Sequence, residues 1–203
     1  MHNPVNTIRF QRPAAVELME FLDTLRNICK PLDRSGVSFA LIGGLALAMR
    51  GVQRATVDVD FLISADDLGT AERLLARAGY ERRYRSENVS HYRAPDPDGG
   101  RIDILHAFRA HARGMLQRAT RIDVGDDLSL PVAAVEDLIG LKIQAAFNDP
   151  SRAQADWQDI RRLLEAAAHR GEEPDWSLIA DYLDVFEQSE RIDVLRGWHG
   201  KTD

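Results

Sequence analysis

The stretch Val57-Asp58-Val59-Asp60-Phe61 constrains this chain more than any other, because strict alternation of apolar and acidic residues suits a half-buried strand and little else. In a strand, alternate side chains share a face. Asp58 and Asp60 therefore project together while Val57, Val59 and Phe61 enter the core. Two carboxylates a few ångströms apart repel by about 1 kcal/mol in water and by several-fold more in a partly dry cleft. A divalent cation or a raised carboxyl pKa must compensate.

The surroundings of this strand sharpen the expectation. Val37-Ser38-Phe39-Ala40-Leu41-Ile42 reads as a buried strand running into Gly43-Gly44, and Leu45–Arg50 as a short helix stopped at Gly51. A strand that ends in two glycines and opens a helix offers backbone N–H groups to an anion with no Cβ in the way, so Gly43 and Gly44 are candidate phosphate-cradling residues. Asp103, within Arg101-Ile102-Asp103-Ile104-Leu105, adds a third strand-borne carboxylate. Three carboxylates suffice for a divalent-ion site, and oxygen-only ligands favour Mg²⁺, with Mn²⁺ as a substitute.

The remaining chain alternates strands and helices and then turns wholly helical. Val16, Met19, Leu22, Leu25, Ile28 and Cys29 recur at helical spacing after Pro13, in an amphipathic helix that should end near Pro31. Ser64-Ala65-Asp66-Asp67 opens a helix to Gly79, and Val89–Arg93 and Arg101–Leu105 form an antiparallel pair around the turn Asp96-Pro97-Asp98-Gly99-Gly100. Beyond Pro131 come three helices, near 132–147, 152–170 and 174–190. The expected fold is α+β, a mixed β-sheet flanked by helices with a C-terminal helical lobe, divided into a catalytic domain 1–131 and a lobe 132–203.

Composition narrows the function classes. A formal charge of −6 over 203 residues argues against coating nucleic acid through the overall field, so an RNA partner would be met locally. Neither a signal-peptide pattern at Met1–Pro13 nor a membrane-length apolar run is present, and a cytoplasmic location with no membrane partner is expected. Cys29 alone permits neither a disulfide nor a cysteine-rich metal site, and reads as a small buried hydrophobe.

Leu41-Ile42-Gly43-Gly44, Arg54-Ala55-Thr56-Val57-Asp58-Val59-Asp60-Phe61 and Arg101-Ile102-Asp103-Ile104 together resemble the signature of the DNA-polymerase-beta-like nucleotidyltransferase superfamily. Val135-Glu136-Asp137-Leu138-Ile139-Gly140-Leu141-Lys142, followed by Asp156-Trp157-Gln158-Asp159-Ile160, is similar to the AbiEii-type enzymes of abortive-infection and toxin–antitoxin systems. The resemblance implies a nucleotidyltransferase fold and transfer of a nucleoside monophosphate from a nucleoside triphosphate to an acceptor hydroxyl. A tRNA 3′ end is the first expected acceptor, ahead of a protein side chain or an aminoglycoside-like small molecule, and an antitoxin is the expected partner. Asp58 and Asp60 would bind Mg²⁺; Asp103 would complete the metal site or take the hydroxyl proton. Lys142 would neutralise phosphate charge, with Asp156 or Asp159 orienting it or touching the nucleotide. Leu45 departs from the pattern, since members often carry serine or threonine after the paired glycines.

Simpler readings stand beside these. Arg54 serves a phosphate or a neighbouring acid, Thr56 supports the metal site or is a plain strand residue, and Lys142 neutralises phosphate or snorkels. Arg82, Arg83, Arg85, Arg101, Arg109, Arg113, Arg118 and Arg121, with Tyr84 or Tyr92, form either a basic rim that stacks RNA bases or a solvated face. His106 and His111 lack zinc spacing and read as surface or capping residues; Trp157, Trp176 and Trp198 read as helix-packing anchors. A non-catalytic nucleotide-sensing or partner-binding module of the same fold is the alternative to an enzyme, and an antitoxin role is a third reading.

Overall fold

The structure, a computed structural model, describes residues 14–53, 58–94, 100–125 and 127–200, with side chains from residue 22 onward. In chain order the elements are α1 (Ala14–Arg34), β1 (Phe39–Ile42), α2 (Gly43–Met49), β2 (Val59–Ser64), α3 (Leu68–Arg77), β3 (Glu81–Arg85), β4 (Val89–Arg93), β5 (Arg101–Ala107), α4 (Ala110–Arg118), β6 (Thr120–Asp123) and β7 (Ser129–Val132). Four helices follow, α5 (Val135–Asn148), α6 (Ala153–His169), α7 (Trp176–Val185) and α8 (Ile192–His199). The α+β fold class expected from the sequence is borne out. Arg54, Thr56, the Ala55-Val57 flank and the turn residues Asp96–Gly99 lie outside the described residues.

Seven strands form one mixed sheet in the order β3-β4-β5-β2-β1-β7-β6. β2 runs antiparallel to β1 and parallel to β5, and β1 runs parallel to β7. The apolar half of the Val-Asp alternation does what the pattern requires: Val59 and Phe61 are buried, and Phe61 packs edge-on against Phe39. From Phe61 to Ser64 every residue of β2 is buried, because this end of the strand is covered on both faces. Only the Asp60 end opens to solvent.

Several elements depart from the pattern read in sequence. α1 continues through Pro31 to Arg34, since a proline inside a helix removes one donor yet leaves its carbonyl, which accepts from Ser35. β3 carries no apolar alternation, because Glu81-Arg82-Arg83-Tyr84-Arg85 is an edge strand exposed along its whole length. β7 holds Pro131, which masks it as a strand. It pairs with β1 at Val132 and with β6 from Ser129 to Val132, Pro131 standing opposite Arg121.

The helical region is pinned by buried ionic contacts. Asp137, fully buried at the start of α5, accepts from Arg118 Nε (3.1 Å) and Nη2 (2.7 Å) and from the Tyr182 hydroxyl (2.7 Å). The Tyr182 ring lies so close to Gly140 that an added Cβ there would stand 2.4 Å from it. α5 and α7 thus meet through a glycine and a tyrosine whose hydroxyl donates to Asp137 and also bonds with Arg118. Among the described residues no helix is long and apolar enough to cross a membrane.

Asp137→Ala removes the acceptor of the Tyr182 hydroxyl and the carboxylate partner of Arg118, which should cost about 2–3 kcal/mol. Thermal unfolding followed by circular dichroism should show Tm lower by about 5–10 °C. A Tm within a degree of the wild type would mean that this network does not hold α7 in place.

Candidate functional site

β1 delivers the chain into the glycine turn with Gly43 at φ +63°, a backbone conformation that side-chain-bearing residues rarely adopt. The reason is steric as well as torsional. A Cβ on Gly43 would lie 1.9 Å from Asp60 Oδ2 and 2.5 Å from its Cγ, so the carboxylate of Asp60 occupies the space a side chain would need. The Gly44 backbone N–H donates to the same carboxylate. Gly43, Gly44 and Asp60 are one packed unit.

Register then lines up further residues. Asp60 stands opposite Ile42 on β1 and opposite Asp103 on β5; Asp103 stands opposite His91 on β4, and His91 opposite Tyr84 on β3. Residues directly opposite one another share a face of a sheet. The glycine turn, Asp60, Asp103, His91 and Tyr84 therefore form a single row across five strands. Asp103 Oδ1 and His91 Nδ1 are 2.7 Å apart, and the carboxylate requires Nδ1–H as donor. The Tyr84 ring stacks on His91 with centroids 5.3 Å apart and planes 25° from parallel.

Arg101 completes the acidic end. Its Nη2 lies 3.2 Å from Asp58 Oδ2 and its Nε 3.1 Å from Asp103 Oδ2, so one guanidinium spans the two outer carboxylates. The Nε is buried and makes no aligned hydrogen bond. Among the described residues no three His, Cys, Asp or Glu side chains converge as a ready metal-holding group. The Arg101 guanidinium stands between Asp58 and Asp103 and supplies the positive charge there. Asp60 is different. Burial raises its carboxyl pKa above the usual carboxylate range, the neighbouring Asp103 and Asp58 raise it further, and the Gly44 N–H and Arg101 offset part of the effect. An oxygen-only donor set with a destabilised anion at its centre fits a hard divalent cation.

Lys142, Asp156 and Asp159 meet elsewhere, between α5 and α6. Lys142 Nζ lies 2.8 Å from Asp156 Oδ1 and 2.7 Å from Asp159 Oδ2, and Asp156 also takes a bond from Arg152 Nε at 3.0 Å. Lys142 does not snorkel: its side chain is 12% exposed and the two carboxylates 1% and 6%. The basic rim divides. Arg82 and Arg85 pair with Glu72 of α3, as does the hydroxyl of buried Tyr92, which puts them on the face of the sheet opposite Asp103, whereas Tyr84 stands on the Asp103 face. Arg113 pairs with Asp66 and Arg121 with Asp33, and Arg109 lies over the Phe108 ring.

His106 corrects a surface reading. It is buried, its Nε2 shares a hydrogen bond with Ser90 Oγ (3.0 Å), and its Nδ1 bonds to the Glu87 carbonyl (2.8 Å), as a position facing the covered side of β5 demands. His111 is exposed, edge-on to Tyr182. Cys29 is buried, and burial raises its thiol pKa well above the ordinary range. His91 escaped the sequence reading although its signal was present: β4 and β5 pair symmetrically about position 97, inside the turn expected from Asp96–Gly100, which sets His91 against Asp103.

A family model described as an uncharacterised nucleotidyltransferase matches residues 10–184. The fold is similar to the antibiotic-resistance factor ANT(2″)-Ia, at 16% identity over 89% of this chain and 97% of that one with a TM-score of 0.56. It is also similar to an antigenic nucleotidyltransferase-like protein from Paracoccidioides brasiliensis (18% identity, 89% and 93% coverage, TM-score 0.55) and to the lincosamide antibiotic adenylyltransferase LnuA (17%, 70% and 94%, 0.51). No curated protein sequence matches the chain.

With its carboxyl pKa raised, Asp60 binds a proton more tightly in the folded chain than in the unfolded one. Its contribution to stability is full below pH about 4 and is lost as the pH rises through the raised folded value. Asp60→Asn, which still accepts from Gly44, should therefore melt above the wild type at pH 7 in chelator, and the gap should close as the pH falls below about 4. Mg²⁺ should raise the Tm of the wild type and leave that of the variant unmoved; equal melting at pH 7 would remove the case for a strained anion.

Proposed function

Since the chain belongs to the nucleotidyltransferase family whose model spans residues 10–184, within the DNA-polymerase-beta-like superfamily, we propose that it transfers a nucleoside monophosphate from a nucleoside triphosphate to an acceptor hydroxyl. The observation that supports this most is the packing of Asp60 into the glycine turn with Asp103 directly opposite it. The turn that would receive phosphates and the acids that would manage charge are thereby one rigid body.

Of the two roles open to Asp103, completing the metal site or taking a proton, we propose the second; Asp58 and Asp60 are the proposed holders of Mg²⁺, or Mn²⁺ in its place. Bound there, the cation would supply neutralising charge to the triphosphate and the pyrophosphate leaving group. The protein's own part begins with Arg101. Its guanidinium neutralises Asp58 and Asp103 in the cation's absence and would turn toward phosphate oxygens once those acids are otherwise engaged. Asp103 accepts the acceptor's hydroxyl proton as the new O–P bond forms at the α-phosphorus; the bond to the bridging oxygen breaks and its electron pair leaves on pyrophosphate. His91 fixes the Asp103 carboxylate by holding its Oδ1. Gly43 and Gly44 present the backbone side of the turn, and Arg54 and Thr56 lead the chain toward Asp58 from the segment outside the described residues.

In this reading 1–131 is the catalytic unit and 132–203 the helical lobe. Lys142, held by Asp156 and Asp159, is the lobe's proposed contact to the phosphates and would have to leave one of those carboxylates to make it. We extend the proposal to an AbiEii-type enzyme with a tRNA 3′ end as acceptor and a cognate antitoxin as partner; the support is the resemblance at Val135–Lys142 and Asp156–Ile160. Antibiotic acceptors are the competing choice, supported by the shared fold with ANT(2″)-Ia and LnuA.

Incubation of the protein with each α-labelled nucleoside triphosphate, Mg²⁺ and total RNA should give labelled RNA and pyrophosphate. Asp58→Ala, Asp60→Ala and Asp103→Ala should each lower the rate by about 100-fold or more, as expected when a charge-stabilising group of the transition state is removed. Label on an aminoglycoside or on the protein itself would reassign the acceptor. Metal-dependent nucleotide binding with no pyrophosphate from any acceptor would favour a sensor module instead.

A further inference from the structure

The row across the sheet has two ends, and they differ. At one end the glycine turn abuts Asp60; at the other Tyr84 lies over His91, which holds Asp103. With the triphosphate at the glycine end, the acceptor must approach from the far side of Asp103, across β4 and β3. What stands there is an aromatic surface. Tyr84 is 53% exposed although its inner face rests on the imidazole, so its outer face is open. An exposed tyrosine on an edge strand ordinarily lacks a rigid backing. Here the backing is rigid because His91 is tied to Asp103.

The shape of the surface selects among acceptors. Arg93 is exposed and stands on the same face, two residues from His91, whereas Arg101 opposite it is engaged by Asp58 and Asp103. A flat base can stack on the open Tyr84 ring while its phosphodiester meets the Arg93 guanidinium, a pairing that an amino sugar, with no planar face, does not make. Adjacent strands lie about 4.8 Å apart, which puts Tyr84 about 10 Å from Asp103 along the row. One nucleotide, with its base on the ring and its ribose reaching back, bridges that gap.

We propose that Tyr84, backed by His91, is the stacking platform for the terminal base of a single-stranded RNA acceptor, and that this contact presents the ribose hydroxyl to Asp103. The inference rests on the transfer reading above and assigns its acceptor side. Tyr92, the other tyrosine of this hairpin, takes no part, because it is buried against α3 with its hydroxyl on Glu72. Tyr84 is a positioning residue: it sets where the acceptor lies and moves no proton.

The test is anisotropy of a 5′-labelled short oligoribonucleotide with a free 3′ hydroxyl, titrated with the full chain in chelator. Tyr84→Phe should bind within about twofold of the wild type, while Tyr84→Ala should bind about tenfold more weakly, the usual loss for one base–aromatic stack. An oligonucleotide abasic at its last position should lose the same factor on the wild type and nothing more on Tyr84→Ala, a coupling that altered folding would not produce. The proposal is overturned by wild-type affinity in Tyr84→Ala, by equal Tyr84 dependence for intact and abasic probes, or by a probe that does not bind the wild type. Binding that depends on Tyr84 without any nucleotidyl transfer would sink the transfer reading alone; transfer to RNA indifferent to Tyr84 would sink this one alone.

Discussion

The contact between the Asp60 carboxylate and the bare Cα of Gly43 is the constraint from which the site follows. A side chain at Gly43 would drive its Cβ into Oδ2, and the φ of +63° there is itself costly for any residue with a Cβ. Because β1 pairs with β2 through Ile42 and Asp60, the position where the chain turns and the position of the acid cannot be adjusted separately. β5 then fixes Asp103 opposite Asp60, and the hairpin that follows backward from β5 fixes His91 and Tyr84. One close approach sets the position of the whole row.

How each acid is treated separates structure from chemistry. Asp137 receives two guanidinium nitrogens and a phenol, and Asp156 and Asp159 share an ammonium; each of these buried carboxylates has its charge answered by a short bond to a cation. Such pairs hold helices together at little net gain and would be costly to break singly. Asp60 faces two more carboxylates, and burial leaves its ionised form disfavoured. A fold that merely needed stability would place an amide or an apolar group there. Retaining three acids with one arginine between them is intelligible when a second cation is expected to arrive with a ligand.

Much of this was legible in the sequence, and the reasons are local. Val59 and Phe61 sink into the core between their acidic neighbours because alternation in a strand leaves no other arrangement. β4 and β5 pair antiparallel, as the sequence Asp96-Pro97-Asp98-Gly99-Gly100 between them leads one to expect. What escaped depends on neighbours far along the chain. β3 looks like a polar loop because its faces are not covered, and it is a strand only because β4 offers an edge to pair with. His106 and His91 are two histidines near Asp103 whose fates are opposite: β5 points one into the covered face, while β4 points the other at the carboxylate. Nothing in the sequence marks His106 as buried, whereas the pleat, read through the register, sinks it into the covered face and sets His91 against Asp103. Lys142 is a different case: a lone lysine among leucines and isoleucines says nothing of its partners, but the resemblance names Asp156 and Asp159, and it meets both.

The place after the glycine pair shows how a lost ligand contact is balanced by position. Leu45, where a hydroxyl residue is common, is buried in the core with Ala46 and Leu47, so the first turn of α2 is anchored by apolar packing. α2 has only seven residues and could not hold its own shape in water. Its far end is tied by Arg50, whose guanidinium donates to the carbonyls of Val132 (3.1 Å) and Ala133 (2.9 Å) and to Thr120 Oγ1 (2.8 Å). Ala133 in turn donates to the Leu41 carbonyl, one residue before the strand end that enters the turn. The short helix thus continues from β1 at one end and is tied to β6 and β7 at the other. Leu45 packs into the core one residue after Gly44, whose N–H donates to Asp60, so the apolar anchor and the polar contact of the turn sit side by side, and a hydroxyl in place of the leucine would weaken the anchor that holds the donor.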